Sequence, residues 1–355
     1  MKLYTQTIPL LMAMVTGWAS NALVEGAEAS PPKQSAHTLH DPTRPVYHLV
    51  SQAKRSHIAD PNFAFYWKGR YHLFYIAARN LETRRRNFAH VSSTDMVHWK
   101  HHPETNFGGL SGTMFLNAEG VPTIIGKSSK AITMLTPMDD QLEQWELLTT
   151  VEATFGPGQD DARMSEKHWD PDAWVVGDTT YVLIGSHPLS PESQPALLKT
   201  TDMKTFHFVD YFLDVDVPGV ARSSDVKTND DLSCPNFFPL GNKWMMLCIS
   251  HNKGCRYYLG DWKDEKFIPD FHGWMNWHKG DNGSKHGHGG DVFAPESLLT
   301  PDGRRVMWAW LFAQSTLRVS PNWQEVISLP RELSLPEDGI LRIKPLRELE
   351  QLRYN

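Results

Sequence analysis

Apolar and polar positions along the chain repeat one phrase: an apolar run, a Gly or Asp/Gly turn, then a second apolar run. It occurs five times, at Phe63–Ile76, Thr113–Gly126, Ala173–Ser186, Asn236–Ile249 and Glu296–Trp310, at steps of about 50 to 63 residues. β-Branched and aromatic runs flanking residues that tolerate positive φ predict a β-hairpin at each copy. A second phrase follows, a turn acid and then an aromatic. It runs from Ser93-Thr94-Asp95-Met96 to Trp99 and from Thr200-Thr201-Asp202-Met203 to Phe206. Looser copies are Asp139-Asp140 to Trp145, Asp264 to Phe267 and Pro321 to Trp323. Asp beside Ser or Thr closes a tight turn through side-chain to backbone hydrogen bonds, and the aromatic packs between sheets. This phrase therefore predicts third and fourth strands rather than chemistry. Val326–Leu341 supplies a last hairpin around Pro336-Glu337-Asp338-Gly339. Four strands at a fixed period, five times over, predict an all-β fold: a five-bladed β-propeller over residues 45–345.

The ends of the chain read differently. Lys2 followed by the apolar run Ile8–Ala19 and small residues at Ala22, Ala27 and Ala29 predicts a signal peptide over residues 1–29, hence export to the periplasm or the extracellular space. That run is short for a bilayer, and no other segment approaches spanning length, so no membrane partner is expected. Residues 30–44 form a leader, and residues 346–355 a short helical or irregular tail. A net charge of −6 without a basic stripe argues against nucleic acid. The three cysteines are too few for a disulfide framework in a chain of 355 residues. Cys248 and Cys255 are read either as a pair on neighbouring strands or, in the simpler case, as buried thiols.

A propeller gathers the starts of its inner strands at one axial mouth. At those starts stand Asp60-Pro61, Ser111-Gly112, Asp170-Pro171, Ser233-Cys234-Pro235 and Asp291. In order along the chain, Asp60-Pro61-Asn62, Tyr71-His72-Leu73-Phe74-Tyr75, His90–Asp95, Leu110-Ser111-Gly112-Thr113, Trp169-Asp170-Pro171, Ser233-Cys234-Pro235-Asn236, Asp291–Pro295 and Ser328–Leu333 resemble the motifs of glycoside hydrolase family 32. That family includes invertases, inulinases and levanases. The resemblance covers about residues 45–345, and the family's C-terminal β-sandwich is not expected in this chain. It implies a carbohydrate substrate, no cofactor, Asp60 as the nucleophile and Asp170 as the transition-state stabiliser. It also implies sugar contacts from Asn62, Ile76, Phe88, Ser111, Trp169 and Cys234. Retention needs one carboxylate to attack the anomeric carbon and a second carboxyl, of raised pKa, to protonate the leaving oxygen.

Departures from the family concentrate around that chemistry. Ser233 stands where the acid/base Glu is expected, and an ordinary hydroxyl is a poor proton donor. Ala59 replaces an Asn, Phe63 a Gly, Ile76 a Gln, Phe88 a Trp and Trp169 an Arg. Asp291 is the first candidate for a replacement acid. Glu296, Asp230, Asp231, His168 and the His286-Gly287-His288 loop are further candidates. His286, His288 and Asp291 also suit zinc, but a Gly-rich rim loop is the preferred reading and no metal site is expected. Arg84-Arg85-Arg86 reads as a solvated loop or as a greeting for an anionic sugar. Two functions follow: a β-fructofuranosidase-like glycoside hydrolase, or a catalytically impaired propeller that binds carbohydrate. Oligomeric state is open.

Overall fold

The apolar runs of the five recurring hairpins become strands, and the strands assemble into five antiparallel sheets. The computed structural model describes residues 45–50, 58–79, 86–128, 131–151, 168–186, 195–213, 231–251, 254–275, 292–312 and 325–353. The predicted signal peptide and leader, Asp291, His286, His288, Asp230, Arg84, Arg85 and Trp323 lie outside them. So do the side chains of Arg86, His168 and Trp169. All the described residues belong to one unit, Ser35–Asn355.

The first blade is β1 (Pro61–Trp67), β2 (Arg70–Arg79), β3 (Arg86–Ser93) and β4 (Lys100–His101). The second is β5 (Ser111–Leu116), β6 (Pro122–Ser128), β7 (Ala131–Pro137) and β8 (Trp145–Val151). The third is β9 (His168–Val176), β10 (Thr179–Ser186), β11 (Ala196–Thr200) and β12 (His207–Tyr211). The fourth is β13 (Ser233–Leu240), β14 (Lys243–Ser250), β15 (Gly254–Lys263) and β16 (Lys266–Trp274). The fifth is β17 (Val292–Leu299), β18 (Arg305–Phe312), β19 (Glu325–Ile327), β20 (Arg331–Ser334) and β21 (Arg342–Pro345), followed by a 3₁₀ helix over Arg347–Leu352. The innermost strands touch in a closed ring, β1 to β5 to β9 to β13 to β17 and back to β1. The fold is a five-bladed β-propeller.

The fifth blade draws on both ends of the described chain. β18 pairs β19 at its C-terminal half and β20 at its N-terminal half, with Ser328-Leu329-Pro330 between the two. On the other side of β19, Val50 bridges Val326, and the Ile327 N–H donates to the Leu49 carbonyl at 3.0 Å.

The acidic turns are structural, as their spacing predicts. Asp95 Oδ1 accepts the N–H groups of Val97 and His98 at 2.9 and 2.8 Å, and Asp202 Oδ1 those of Lys204 and Thr205, both at 2.8 Å. The aromatics that follow, Trp145, Phe206 and Phe267, are buried between blades. Cys248 and Cys255 are both buried free thiols. Cys248 pairs in register with Arg256 and Cys255 with Ile249, so the two cysteines sit one position apart on neighbouring strands. Successive residues point to opposite faces, and the thiols accordingly join different core clusters.

Candidate active site

The inner strands begin irregularly, and the irregularity aims the acids. Register shifts interrupt β1 between Pro61 and Phe63, β13 between Ser233 and Asn236, and β17 between Phe293 and Glu296; in β9, Asp170 is the bulged residue. Asp170, Cys234 and Ala294 take left-handed φ of 52°, 47° and 43°. Each precedes a proline, which has no N–H to lose where the ladder is broken. A bulge of this kind re-aims one side chain without ending the strand. In the second blade, Gly112 holds the matching place. A Cβ there would come within 2.0 Å of the Ile125 carbonyl oxygen.

The result is a hydrogen-bonded chain across four blades. Asn62 Nδ2 donates to the Asp60 carbonyl at 2.9 Å. The Ser111 hydroxyl lies 3.3 Å from Asn62 Oδ1 and is also hydrogen-bonded to Asp170 Oδ1; its one proton serves either acceptor. Asp170 Oδ2 accepts the Cys234 N–H at 3.0 Å, with the Cys234 thiol 3.4 Å away. Burial, together with the charges of Asp170 and Asp60, pushes that thiol well above its ordinary pKa, so it stays protonated. Asp60 is half-buried and Asp170 almost fully buried.

The predicted site residues thus divide. Asp60, Asn62, Ser111, Asp170 and Cys234 are brought together. Phe88 is 1% exposed, with its ring packed against Phe63 and Phe107 at centroid distances of 5.1 and 5.5 Å, and Ile76 packs against the same cluster. Glu296 is buried deeper on the axis, where its Oε1 accepts the Ala64 N–H at 3.3 Å and the Thr113 hydroxyl at 3.2 Å. Beside it Asp172 accepts the Phe237 N–H at 2.6 Å. Burial pushes Asp172 up to about 7 and, with the charge of Asp172, raises Glu296 well above the carboxylate range. Burial lowers Arg305 to about 10, opposed by those two acids. This cluster joins all five blades through their inner strands and β18, and belongs to the core.

Ser233 is fully buried. Its hydroxyl lies 2.7 Å from Asp231 Oδ2 and 2.8 Å from the Ser186 carbonyl. Asp231 Oδ1 accepts the His251 N–H at 2.9 Å, and Asp231 Oδ2 lies 2.7 Å from His251 Nδ1. Burial alone would raise Asp231, but the hydrogen bonds from His251 and Ser233 bring it below the usual range. Burial alone would lower His251; the bond to Asp231 and the charges of Asp231, Asp170 and Asp60 raise it overall. The imidazole keeps 29% of its surface exposed and meets the Phe293 ring edge-on at 5.4 Å. His251 is absent from the sequence-level candidates. It follows the second strand of its hairpin, and the recurring motifs mark only the first.

Among the described residues no group of three His, Cys, Asp or Glu is arranged to hold a metal, and no helix is long and apolar enough to cross a membrane. A separate cleft of about 270 Å³ lies between residues 46–49, the Met96–Trp99 turn and the 3₁₀ helix, and contains none of these acids.

Residues 48–345 match the family described as glycosyl hydrolases family 32 N-terminal domain. Raffinose invertase of Escherichia coli is 26% identical over 343 residues, covering 87% of this chain and 66% of that protein. Sucrose-6-phosphate hydrolase of Klebsiella pneumoniae is 25% identical over 347 residues, covering 89% and 69%. Among solved structures, Bombyx mori GH32 beta-fructofuranosidase superposes with a TM-score of 0.68 at 21% identity, covering 89% of this chain and 68% of that one. Fructan 1-exohydrolase IIa from Cichorium intybus gives 0.66 at 20% identity, covering 89% and 63%. The chain spans about two thirds of the length of these relatives.

Proposed function

From the premise that this chain belongs to glycosyl hydrolase family 32, we propose that it is an exported glycoside hydrolase of β-fructofuranosidase type, acting on a furanoside or related glycosidic bond. The observation that carries this reading is the hydrogen-bonded chain Asp60–Asn62–Ser111–Asp170–Cys234 across the mouth. That chain fixes the backbone of Asp60 through its carbonyl and the carboxylate of Asp170 directly, which sets both acids at one opening. Asp60 attacks the anomeric carbon, and Asp170, fixed by Ser111 and the Cys234 N–H, accepts hydrogen bonds from sugar hydroxyls as charge develops on the ring. Similarity to an invertase and to a fructan exohydrolase supports a fructoside. Export rests on residues 1–29 alone.

A second reading, a binding propeller without turnover, is favoured by one observation: the buried Ser233 hydroxyl is engaged with Asp231 and Ser186. The test is reducing-sugar release from sucrose, raffinose, inulin and levan, alongside calorimetric binding of fructose. Hydrolysis by the wild type, abolished in Asp60→Asn with sugar binding retained, supports the hydrolase. Binding without release of sugar by the wild type supports the second reading.

A further inference from the structure

Cys234, Asp231 and His251 share the mouth with Asp60 and Asp170, and they differ in what they can donate. The Cys234 thiol is committed to Asp170 Oδ2. Asp231 has no exposed side-chain surface, and its two oxygens are occupied by Ser233 and by the backbone and ring of His251. His251 alone of the three combines an acidic proton with open surface. It sits immediately after β14, and β14 places Ile249 opposite Ser233 in register. The ring therefore lies beside the strand start from which the family's acid/base would project.

We infer that His251, oriented by Asp231 and with Ser233 as the anchor of Asp231, is the proton donor to the leaving group. The inference rests on the hydrolase reading above. Nδ1–H stays on Asp231 Oδ2, so the transferable proton is on Nε2. In the first step an Asp60 oxygen forms a bond to the anomeric carbon while the glycosidic C–O bond breaks. Its electron pair passes to the leaving oxygen, which takes the Nε2 proton and departs as an alcohol. In the second step neutral His251 takes a proton from water as the water oxygen attacks the same carbon and the ester to Asp60 breaks. This restores carboxylate and imidazolium. Asp231 does for this imidazole what a buried carboxylate does in an Asp–His pair: it fixes the tautomer and stabilises the cation. Both the Asp231 charge and those of Asp60 and Asp170 favour the protonated ring. Ser233 and Asp231 are positioning residues.

The experiment compares His251→Gln and Asp231→Asn with the full-length wild type on sucrose and on p-nitrophenyl β-D-fructofuranoside, whose leaving group departs without a proton. General acid catalysis contributes about 10²- to 10⁴-fold. His251→Gln should lose about that factor on sucrose and less than about tenfold on the aryl glycoside. Asp231→Asn should shift the alkaline limb of the pH–rate profile to lower pH, because the imidazolium loses its counter-charge. Equal losses on both substrates, or an Asp231→Asn profile that stays in place, would overturn the assignment while leaving the hydrolase reading intact. A wild type that binds fructose yet hydrolyses neither substrate would overturn both.

Discussion

Restoring the family's glutamate, Ser233→Glu, should harm this protein rather than repair it. The Ser233 side chain is fully buried, with Oγ 2.7 Å from Asp231 Oδ2 and 2.8 Å from the Ser186 carbonyl. A glutamate extending from the same Cβ brings a second carboxylate against Asp231. At about 4 Å and an effective dielectric of about 20, the repulsion is about 4 kcal/mol, equivalent to about 3 pKa units. Loss of the serine's bond to Asp231 adds to it. In a chain of this size 1 kcal/mol moves Tm by about 2 °C, so a fall of about 8 °C is expected at pH 7. The sign with pH follows from linkage. In the unfolded chain the new carboxyl titrates near its ordinary value of about 4.3, whereas in the folded protein it resists ionisation. The folded state then holds the extra proton, and the destabilisation grows as pH rises above about 4 and fades below it. Calorimetric melts of both proteins at pH 4 and pH 7 measure this directly. A Ser233→Glu protein that melts with the wild type at both pH values, and that gains sucrose hydrolysis, would refute the argument.

Buried histidines set an acid limit on stability. Burial and the charges of His102 and Arg70 push His72 down to about 3. Burial and the charge of Arg256 push His272 to about 4, and burial with the charges of His102 and His72 holds His90 well below its ordinary value. Each titrates near about 6.5 when unfolded, so their contribution is full above about pH 7. It is lost as pH falls through the range below about 6.5, by up to about 1.4 kcal/mol per pH unit per histidine; urea midpoints that stay level from pH 7 to pH 4 would contradict it. Thr113→Val removes a hydroxyl from Glu296 Oε1 at 3.2 Å in a fully buried cluster and should cost about 1 to 3 kcal/mol in urea unfolding. A change below about 0.5 kcal/mol would show that the axial hydrogen bonds do not hold the blades.

The five recurring hairpins were legible because strand period and turn chemistry are local, and each pairs as predicted. Of the last hairpin, predicted over Val326–Leu341, only Arg331–Ser334 pairs across the turn, with Arg342–Pro345, while Val326 and Ile327 pair with β18. The strand starts were legible for a related reason. A proline after a bulged residue leaves a visible mark, as at Asp170-Pro171 and Cys234-Pro235. Which substitutions act together was not legible. Phe63, Phe88 and Ile76 replace a family Gly, Trp and Gln, and read along the sequence as separate losses at the sugar. In space they form one apolar cluster with Phe74 and Phe107 between the first two blades. His251 was hidden for the same physical reason: its partner Asp231 lies on another strand connection, joined only by the fold. The split third strand of the fifth blade was equally invisible, since the break at Pro330 depends on what pairs with β18.

The clasp between Leu49–Val50 and Val326–Ile327 governs how the molecule is made. Partners this remote in sequence meet only after the intervening chain has emerged from the ribosome, and their loop-closure cost falls at the end of assembly. The first four blades must therefore wait, with the flank of the first uncovered, until the fifth arrives. Mutations that weaken the clasp should lower the yield of folded protein before they change anything at the mouth.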